Sequence, residues 1–464
     1  MTGLKLNLKQ VLILCSFLLI AISVRVLTLQ FMRNHLHDPA WFQVGSYAKF
    51  DRQARGILDG RQRLFWIDDP TRTDLVQYPP AFPALLALIY KITGGNSAYT
   101  AQIVLWFADL ILSFLLIAGI AHSALGWRAA IVSSFLLALS PLFAMYAAYP
   151  SADMPTTWFV LGGAWLLLLA FQRQNVKLAL AAGVMLGIAC WLRVNPLYLC
   201  FGWAIALFAL VRADWLVKLK MSAAVLAGTL VLIAPIVIRN YLVFPDFTPT
   251  GGTIGVNLWE GIGETEFGRA HGFQFSDHNL LEYERRKYGW PPDMTIDVHW
   301  PDGIRRDQEL TRESLTFIRQ HPVWYLGTML GRMWGMLKIA GDPVPYSGVA
   351  GINVTSRKTL PPQWQGGMLA FGVNVLGMIQ SVVRYLFLPL AALGIYVAAR
   401  MDWRLTCLLL MTVFYYLVPG TAGHTELRYV LPMHGILIVF AGAAIDRLFS
   451  MISGFSKIDR VVSS

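Results

Sequence analysis

The stretch AAYPSADMPTTWFVLGGAWLLLL, residues 147–169, sets one carboxylate at the mouth of an apolar run. Beyond Asp153 the run holds only Met, Pro, Thr and Gly among Trp, Phe, Val, Leu and Ala. A run of about 20 such residues crosses roughly 30 Å of hydrocarbon as a helix. Runs of this kind recur, and we predict spans at 10–31, 99–121, 127–148, 152–172, 177–192, 197–211, 219–240, 374–399, 403–420 and 427–449. Of the 464 residues, 56% are hydrophobic and 14% charged, whereas soluble domains carry about 25% charge. The predicted fold class is an all-α polytopic membrane protein, a bundle of about 10–12 transmembrane helices.

The net charge of +11 does not describe a nucleic-acid protein, because the basic residues are dispersed beside the ends of apolar runs. That placement is a topology signal. With the N-terminus in the cytoplasm, the inside segments carry Lys5 and Lys9, then Arg128, Arg173 with Lys177, Arg212 with Lys218 and Lys220, Arg400 with Arg404, and Arg447 with Lys457 and Arg460. Every short inside loop is basic, and the even number of spans returns the C-terminus to the same side. The start, MTGLKLNLKQVLILCSFLLIAISVRVLTL, has no clear small-x-small cleavage site and reads as a retained first span. Cys15, Cys190, Cys200 and Cys407 all sit in apolar runs and read as buried small hydrophobes.

Three parts follow. Residues 1–240 form an N-terminal transmembrane module whose first extracytoplasmic loop, 32–98, holds an amphipathic helix over 41–58. Residues 241–373 form a second extracytoplasmic region, too rich in aromatics for a solvated linker. Residues 374–464 form a C-terminal transmembrane module. Two short apolar segments, 81–92 and 323–340, read as helices lying in the outer interface. The NVT sequon at 353–355 falls on that outer side.

Ionisable groups at the edge of a membrane bundle are costly and mark candidate sites. Asp153 opens a span, with Pro155 in its first turn, as a helix start also would. Asp38, in LHDPAWF, has the form of an N-cap followed by Pro39. Asp51 projects from the apolar side of the 41–58 helix, between Val44 and Leu58, within reach of Arg55 four residues on. Lys49, Arg52, Gln53 and Asp59 take the polar side. Arg193 and Asn195, in GIACWLRVNPLYLCF, sit at an outside turn where a guanidinium would seek an anion such as a lipid phosphate. His424, Glu426, Arg428 and Tyr429, in PGTAGHTELRYVLPMHGIL, precede the last span from the outside; Tyr429 and His434 also suit an interfacial belt. There is no P-loop, dinucleotide fingerprint, H-E-x-x-H or G-x-S-x-G. A nucleotide-driven enzyme is thereby disfavoured, and any donor arrives through the membrane.

Four segments in order resemble the GT-C superfamily of membrane glycosyltransferases. The nearest branch holds the protein O-mannosyltransferases and the bacterial lipid A aminoarabinose transferases. The segments are the first-loop amphipathic helix, which ends Ala54…Gly60, YPPAFPALLALIY, LSPLFAMYAAYPSADMPTTWFVLGGAW and HTELRYVLP. The resemblance implies a GT-C-like bundle. It implies transfer of a sugar from a polyprenyl-phosphate donor (undecaprenyl or dolichyl) to lipid A, a glycan or a protein hydroxyl on the extracytoplasmic face. A first-loop acid would act as general base on the acceptor hydroxyl, Asp153 would help to shape the site, and basic groups would hold the carrier phosphate. The position matching the family's first-loop acid is Ser46, so Asp38 before it and Asp51 after it both stand as base. Arg193, Asn195, His424, Glu426, Arg428 and Tyr429 stand as lipid-phosphate or substrate contacts. No cofactor is expected, although scattered acids are compatible with a weakly held divalent cation. A multi-pass protein of the bacterial inner membrane, with a membrane-borne donor and no nucleic-acid partner, is expected. Two rivals remain: a transporter or flippase of lipid-linked sugars, and a non-catalytic subunit of envelope polysaccharide assembly.

Overall fold

A computed structural model describes residues 8–35, 46–76, 79–95, 97–251, 253–340, 355 and 360–462. Asp38, and Asn353 and Val354 of the sequon, lie outside the described residues.

Among the described residues the chain is helical, with one isolated bridge between Asp297 and Trp300. The first transmembrane helix, α1 (Leu8–His35), leads to the paired helices α2 (Ser46–Leu58) and α3 (Ala81–Thr93). The bundle continues with α4 (Ala98–Leu125), α5 (Trp127–Leu139), α6 (Pro141–Ala147), α7 (Asp153–Arg173), α8 (Val176–Leu192), α9 (Leu199–Leu210) and α10 (Trp215–Val243). A helical cap follows: α11 (Ile254–Gly263), α12 (Glu266–Ala270), α13 (Asp277–Tyr288), α14 (Gly303–Gln320) and α15 (Pro322–Met336). The chain then re-enters the bundle through α16 (Gly367–Leu417) and α17 (Leu431–Val462).

All ten predicted runs are helical, and the protein is an integral, multi-pass membrane protein. Six stretches are long and apolar enough to cross alone, within α1, α4, α7, α10, α16 and α17. Helices α5 and α6 are long and apolar enough to cross only when taken together, as a broken span or a re-entrant pair bent by 64°, where Pro141 ends one helix and starts the next under the Ser140 cap. The long α16 is two helices joined at Asp402, whose φ of −150° leaves the helical region. Its Oδ1 accepts the backbone N–H groups of Arg404 (3.0 Å) and Leu405 (3.1 Å), so it caps the second half. The run at 197–211 becomes only the 12 residues of α9, about 18 Å of helix, shorter than the hydrocarbon.

Without a hydrophobic force between helices in lipid, close approach depends on small residues. At the α8–α10 crossing a Cβ on Gly228 would sit 2.6 Å from the Leu180 carbonyl oxygen. Thr229 there donates across to the Gly183 carbonyl at 3.0 Å.

The cap has its own apolar core, with Trp259, Phe273, Leu280, Leu310 and Phe317 buried together. The buried Arg306–Glu284 ion pair lies beside it. Helix α15 leaves Val323, Leu326, Leu330 and Trp334 exposed along one stripe, while Arg332 and Met336 are buried on the other. In α2, Tyr47, Phe50 and Ala54 are buried as the helical pattern predicts. Gln53 is buried as well, and Leu58 is 41% exposed. Both departures follow from the chain folding back after α2, where the Gln62 N–H bonds the Gly56 carbonyl. His434 is fully buried, its Nε2 2.8 Å from the Met336 carbonyl oxygen, and is no belt residue. Cys190 and Cys200 are buried, but Cys15 and Cys407 face away from the protein; a helix in lipid presents apolar side chains outward as readily as inward.

Candidate functional site

The start of α7, the end of α8, the end of α11 and the 424–429 loop meet at one end of the bundle. Asp153 is the first residue of α7 and is 4% exposed. Ala152 holds the cap position, so the Asp153 carboxylate does not cap its own helix. It forms an ion pair with Arg193, the residue that ends α8. The Arg193 guanidinium lies over the Tyr429 ring, 4.7 Å from its centre, and the Arg428 guanidinium lies 5.2 Å from the same ring. Arg428 is held in turn by Glu426: Nη2 donates to Oε1 at 2.6 Å, and Nε lies 2.6 Å from Oε2. Burial alone would raise the Glu426 carboxyl, but Arg428 and His424 outweigh it and hold it down at about 2. His424 reaches Glu426 through Nε2 at 3.2 Å and Glu264, at the end of α11, through Nδ1 at 2.5 Å.

Asp153, Arg193, His424, Glu426, Arg428 and Tyr429 are thus one connected cluster. Asn195 stands outside this cluster: the residue is exposed, and its carbonyl accepts the Tyr415 hydroxyl at 2.5 Å. Asp51 stands apart. Its Oδ2 accepts Arg55 and its Oδ1 accepts the Tyr90 hydroxyl, each at 2.8 Å, and no hydrogen bond or ion pair joins it to Asp153 or Arg193. The Tyr90 hydroxyl also meets that of Tyr47 at 2.7 Å, so the carboxylate fastens α2 to α3.

Two further groups escape a reading of the sequence. Arg239, on the last turns of α10, is 4% exposed. Its Nε and Nη2 donate to the Asn240 side-chain oxygen at 3.0 and 2.7 Å, and its Nη1 donates to the Phe65 carbonyl at 3.0 Å. Among the described residues no carboxylate pairs with it. It lines a small open cleft of about 20 Å³, together with Gln53, Gln62, Arg63 and Phe65. The second group lies within the bundle. Arg25 of α1 and Asp109 of α4 are fully buried and paired at 3.3 Å, and Asp109 also accepts the Trp158 indole N–H at 3.2 Å and the Ser113 hydroxyl. The signal for this pair was available, since charges inside otherwise apolar runs are rarely idle. Arg239 gave no such signal, sitting at a span end where basic anchors are ordinary. No group of three or more His, Cys, Asp or Glu among the described residues is placed to hold a metal ion.

Residues 77–238 match the family model described as dolichyl-phosphate-mannose-protein mannosyltransferase. The matched segment contains Asp153 and Arg193 but ends before Arg239 and before the 424–429 loop. Over that segment the chain has the GT-C likeness that its motifs carry. Two solved structures from Archaeoglobus fulgidus are similar in backbone. One is the archaeal oligosaccharyltransferase AglB in complex with an inhibitory peptide and a dolichol-phosphate. It has a TM-score of 0.47 and 14% identity, over 97% of this chain and 52% of that one. The other is the Archaeoglobus fulgidus oligosaccharyltransferase in complex with Zn and sulfate. It has a TM-score of 0.49 and 14% identity, over 97% and 51%. The chain spans about half the length of these proteins. No curated protein matches it.

Proposed function

We propose that this protein is a polyprenyl-phosphate-dependent glycosyltransferase of the GT-C type, with its site on the extracytoplasmic face. The observation that carries the reading is the Asp153–Arg193 pair at the mouth of the bundle, inside the segment that matches the mannosyltransferase family. The basic loops of the short inside segments support cytoplasmic termini.

In the reaction an acceptor hydroxyl on lipid A, a glycan or a protein attacks the anomeric carbon. The bond from that carbon to the carrier phosphate breaks, the phosphate leaves with the electron pair, and a carboxylate takes the hydroxyl proton. We assign the base to Asp38 in preference to Asp51, because both oxygens of Asp51 are taken up by Arg55 and Tyr90 in fastening α2 to α3. Asp153 shapes the site through Arg193. The leaving phosphate needs a cation whose charge is not already answered. Arg193 and Arg428 each have a carboxylate, whereas among the described residues Arg239 meets neutral acceptors alone, so we assign Arg239 to the phosphate.

Purified protein in detergent, given a polyprenyl-phosphate sugar, tests this. Transfer is expected in wild type, with Arg239→Gln raising the donor KM by about 10- to 100-fold. Donor that stays intact while a labelled lipid crosses vesicles would instead identify a flippase.

A further inference from the structure

The cap grips the loop that carries Arg428 and Tyr429. Two backbone contacts define the grip: the His424 N–H donates to the Asn257 carbonyl of α11 at 2.6 Å, and the Tyr325 hydroxyl of α15 donates to the Ala422 carbonyl. The fit is close, since a Cβ on Gly261 would come within 2.7 Å of the His424 nitrogen. Charges overlie these contacts. Arg332 of α15, 3% exposed, pairs with Glu264 at 3.3 Å and donates to the carbonyls of Gly261 and Thr421. Glu264 is 2% exposed and receives His424 on its other oxygen.

His424 lies between two carboxylates, with one ring nitrogen on each. A carboxylate only accepts, so both ring nitrogens must donate, and the ring that fits is the imidazolium. We propose that Glu264, His424 and Glu426 form a charged clamp through which the cap holds the 419–430 loop against the Asp153–Arg193 pair, with His424 as its positioning residue. The connection runs from Arg332 through Glu264, His424, Glu426 and Arg428 to the Tyr429 ring, and across that ring to Arg193. Its consequence for turnover rests on the glycosyltransferase reading; the clamp itself does not.

The groups facing His424 are Glu264 and Glu260 from α11 and its end, Glu426 and Tyr429 from its own loop, and the Phe275 ring 5.6 Å away. Burial disfavours the charged ring, but the bonds to Glu264 and Glu426 outweigh it and hold the ring protonated well above its ordinary range. Burial and the nearby Asp277 push Glu260 up to about 8, so its charge adds to the clamp only in alkali. Because the folded-state value for His424 lies above the free value of 6.5, its contribution is complete below that pH. It is lost as pH climbs through the folded value.

The test follows backbone hydrogen exchange of residues 419–430 in the full chain in detergent, from about pH 6 to about pH 10, corrected for intrinsic rates. Wild type is expected to protect this segment at neutral pH and to lose that protection only as the His424 ring, followed by nitrogen-15 NMR, gives up its proton, while residues 435–445 of α17 stay protected. In His424→Gln, which keeps a donor but no charge, exchange at about pH 7 should be about tenfold faster and independent of pH up to about 8, where Glu260 begins to ionise. Equal protection in wild type and variant, or an unchanged pH profile in the variant, overturns the clamp. Should the variant fail to fold, the wild-type ring decides alone: a His424 ring that is neutral at about pH 7 by nitrogen-15 NMR rejects the charged His424. Turnover in the same preparations separates the two readings. Wild type that transfers no sugar yet shows this protection with a charged His424 ring removes the glycosyltransferase and leaves the clamp; wild type that transfers sugar with a neutral ring does the reverse. Where both hold, His424→Gln should lower kcat and leave the donor KM unchanged.

Discussion

Two aspartate–arginine pairs join helices of this protein, and they differ in what surrounds them. Arg25–Asp109 has no exposed surface on either side chain. Asp153–Arg193 leaves the arginine side chain 23% exposed at the mouth of the bundle. The first pair is fenced by Phe114, Trp158 and Ser113, so no substrate can reach it. Desolvation makes such a pair a poor source of net stability, while breaking it strands a charge in a dry interior. The second pair opens on Tyr429 and the charged loop. The same two functional groups therefore lie sealed in one place and open at the mouth of the bundle in the other, and depth in the bundle makes the difference.

The comparison is most sharply tested at the sealed pair. Asp109→Asn should destabilise the fold by about 3–5 kcal/mol by leaving Arg25 unpaired. Asp109→Leu combined with Arg25→Met should recover most of that loss, read as thermal unfolding in detergent. If single and double variants unfold alike, the sealed pair is not an ion pair in energetic terms. At the mouth the reverse is expected. Asp153→Asn should cut sugar transfer by about 100-fold or more and move the unfolding temperature only slightly. Unfolding as severe as that of Asp109→Asn would erase the distinction. Asp51→Asn should have the smallest effect, a few-fold at most in turnover, because its pair with Arg55 is partly solvated. A loss as large as that of Asp153→Asn would return Asp51 to the role of base.

The fold was largely legible in the chain. Apolar runs of spanning length marked all ten bundle segments, because hydrocarbon forces each backbone to satisfy its own hydrogen bonds as a helix. The site was legible in part. Charges beside Pro, Trp and Tyr at run ends pointed to Asp153, Arg193 and the 424–429 loop. Asp51 shows the limit: its place on the apolar side of α2 was readable, but that its partners are Arg55 and Tyr90 depends on where α3 packs. Gln53 looked solvated from periodicity alone and is buried because the chain folds back over it.

Arg239, Glu264 and Arg332 carry no sequence mark, since an isolated basic or acidic residue near a span end or in a polar loop is ordinary. Their meaning comes from burial and from partners that are 71 residues away, for Arg332 on Gly261, or 160, for Glu264 on His424. The sequence by itself determined that this chain is a helical membrane bundle and where its charges enter the apolar runs, because hydropathy and helical period are local. Only the tertiary structure decided which charge answers which. Pairing in a low-dielectric interior is a matter of distance across helices, which sequence separation does not encode.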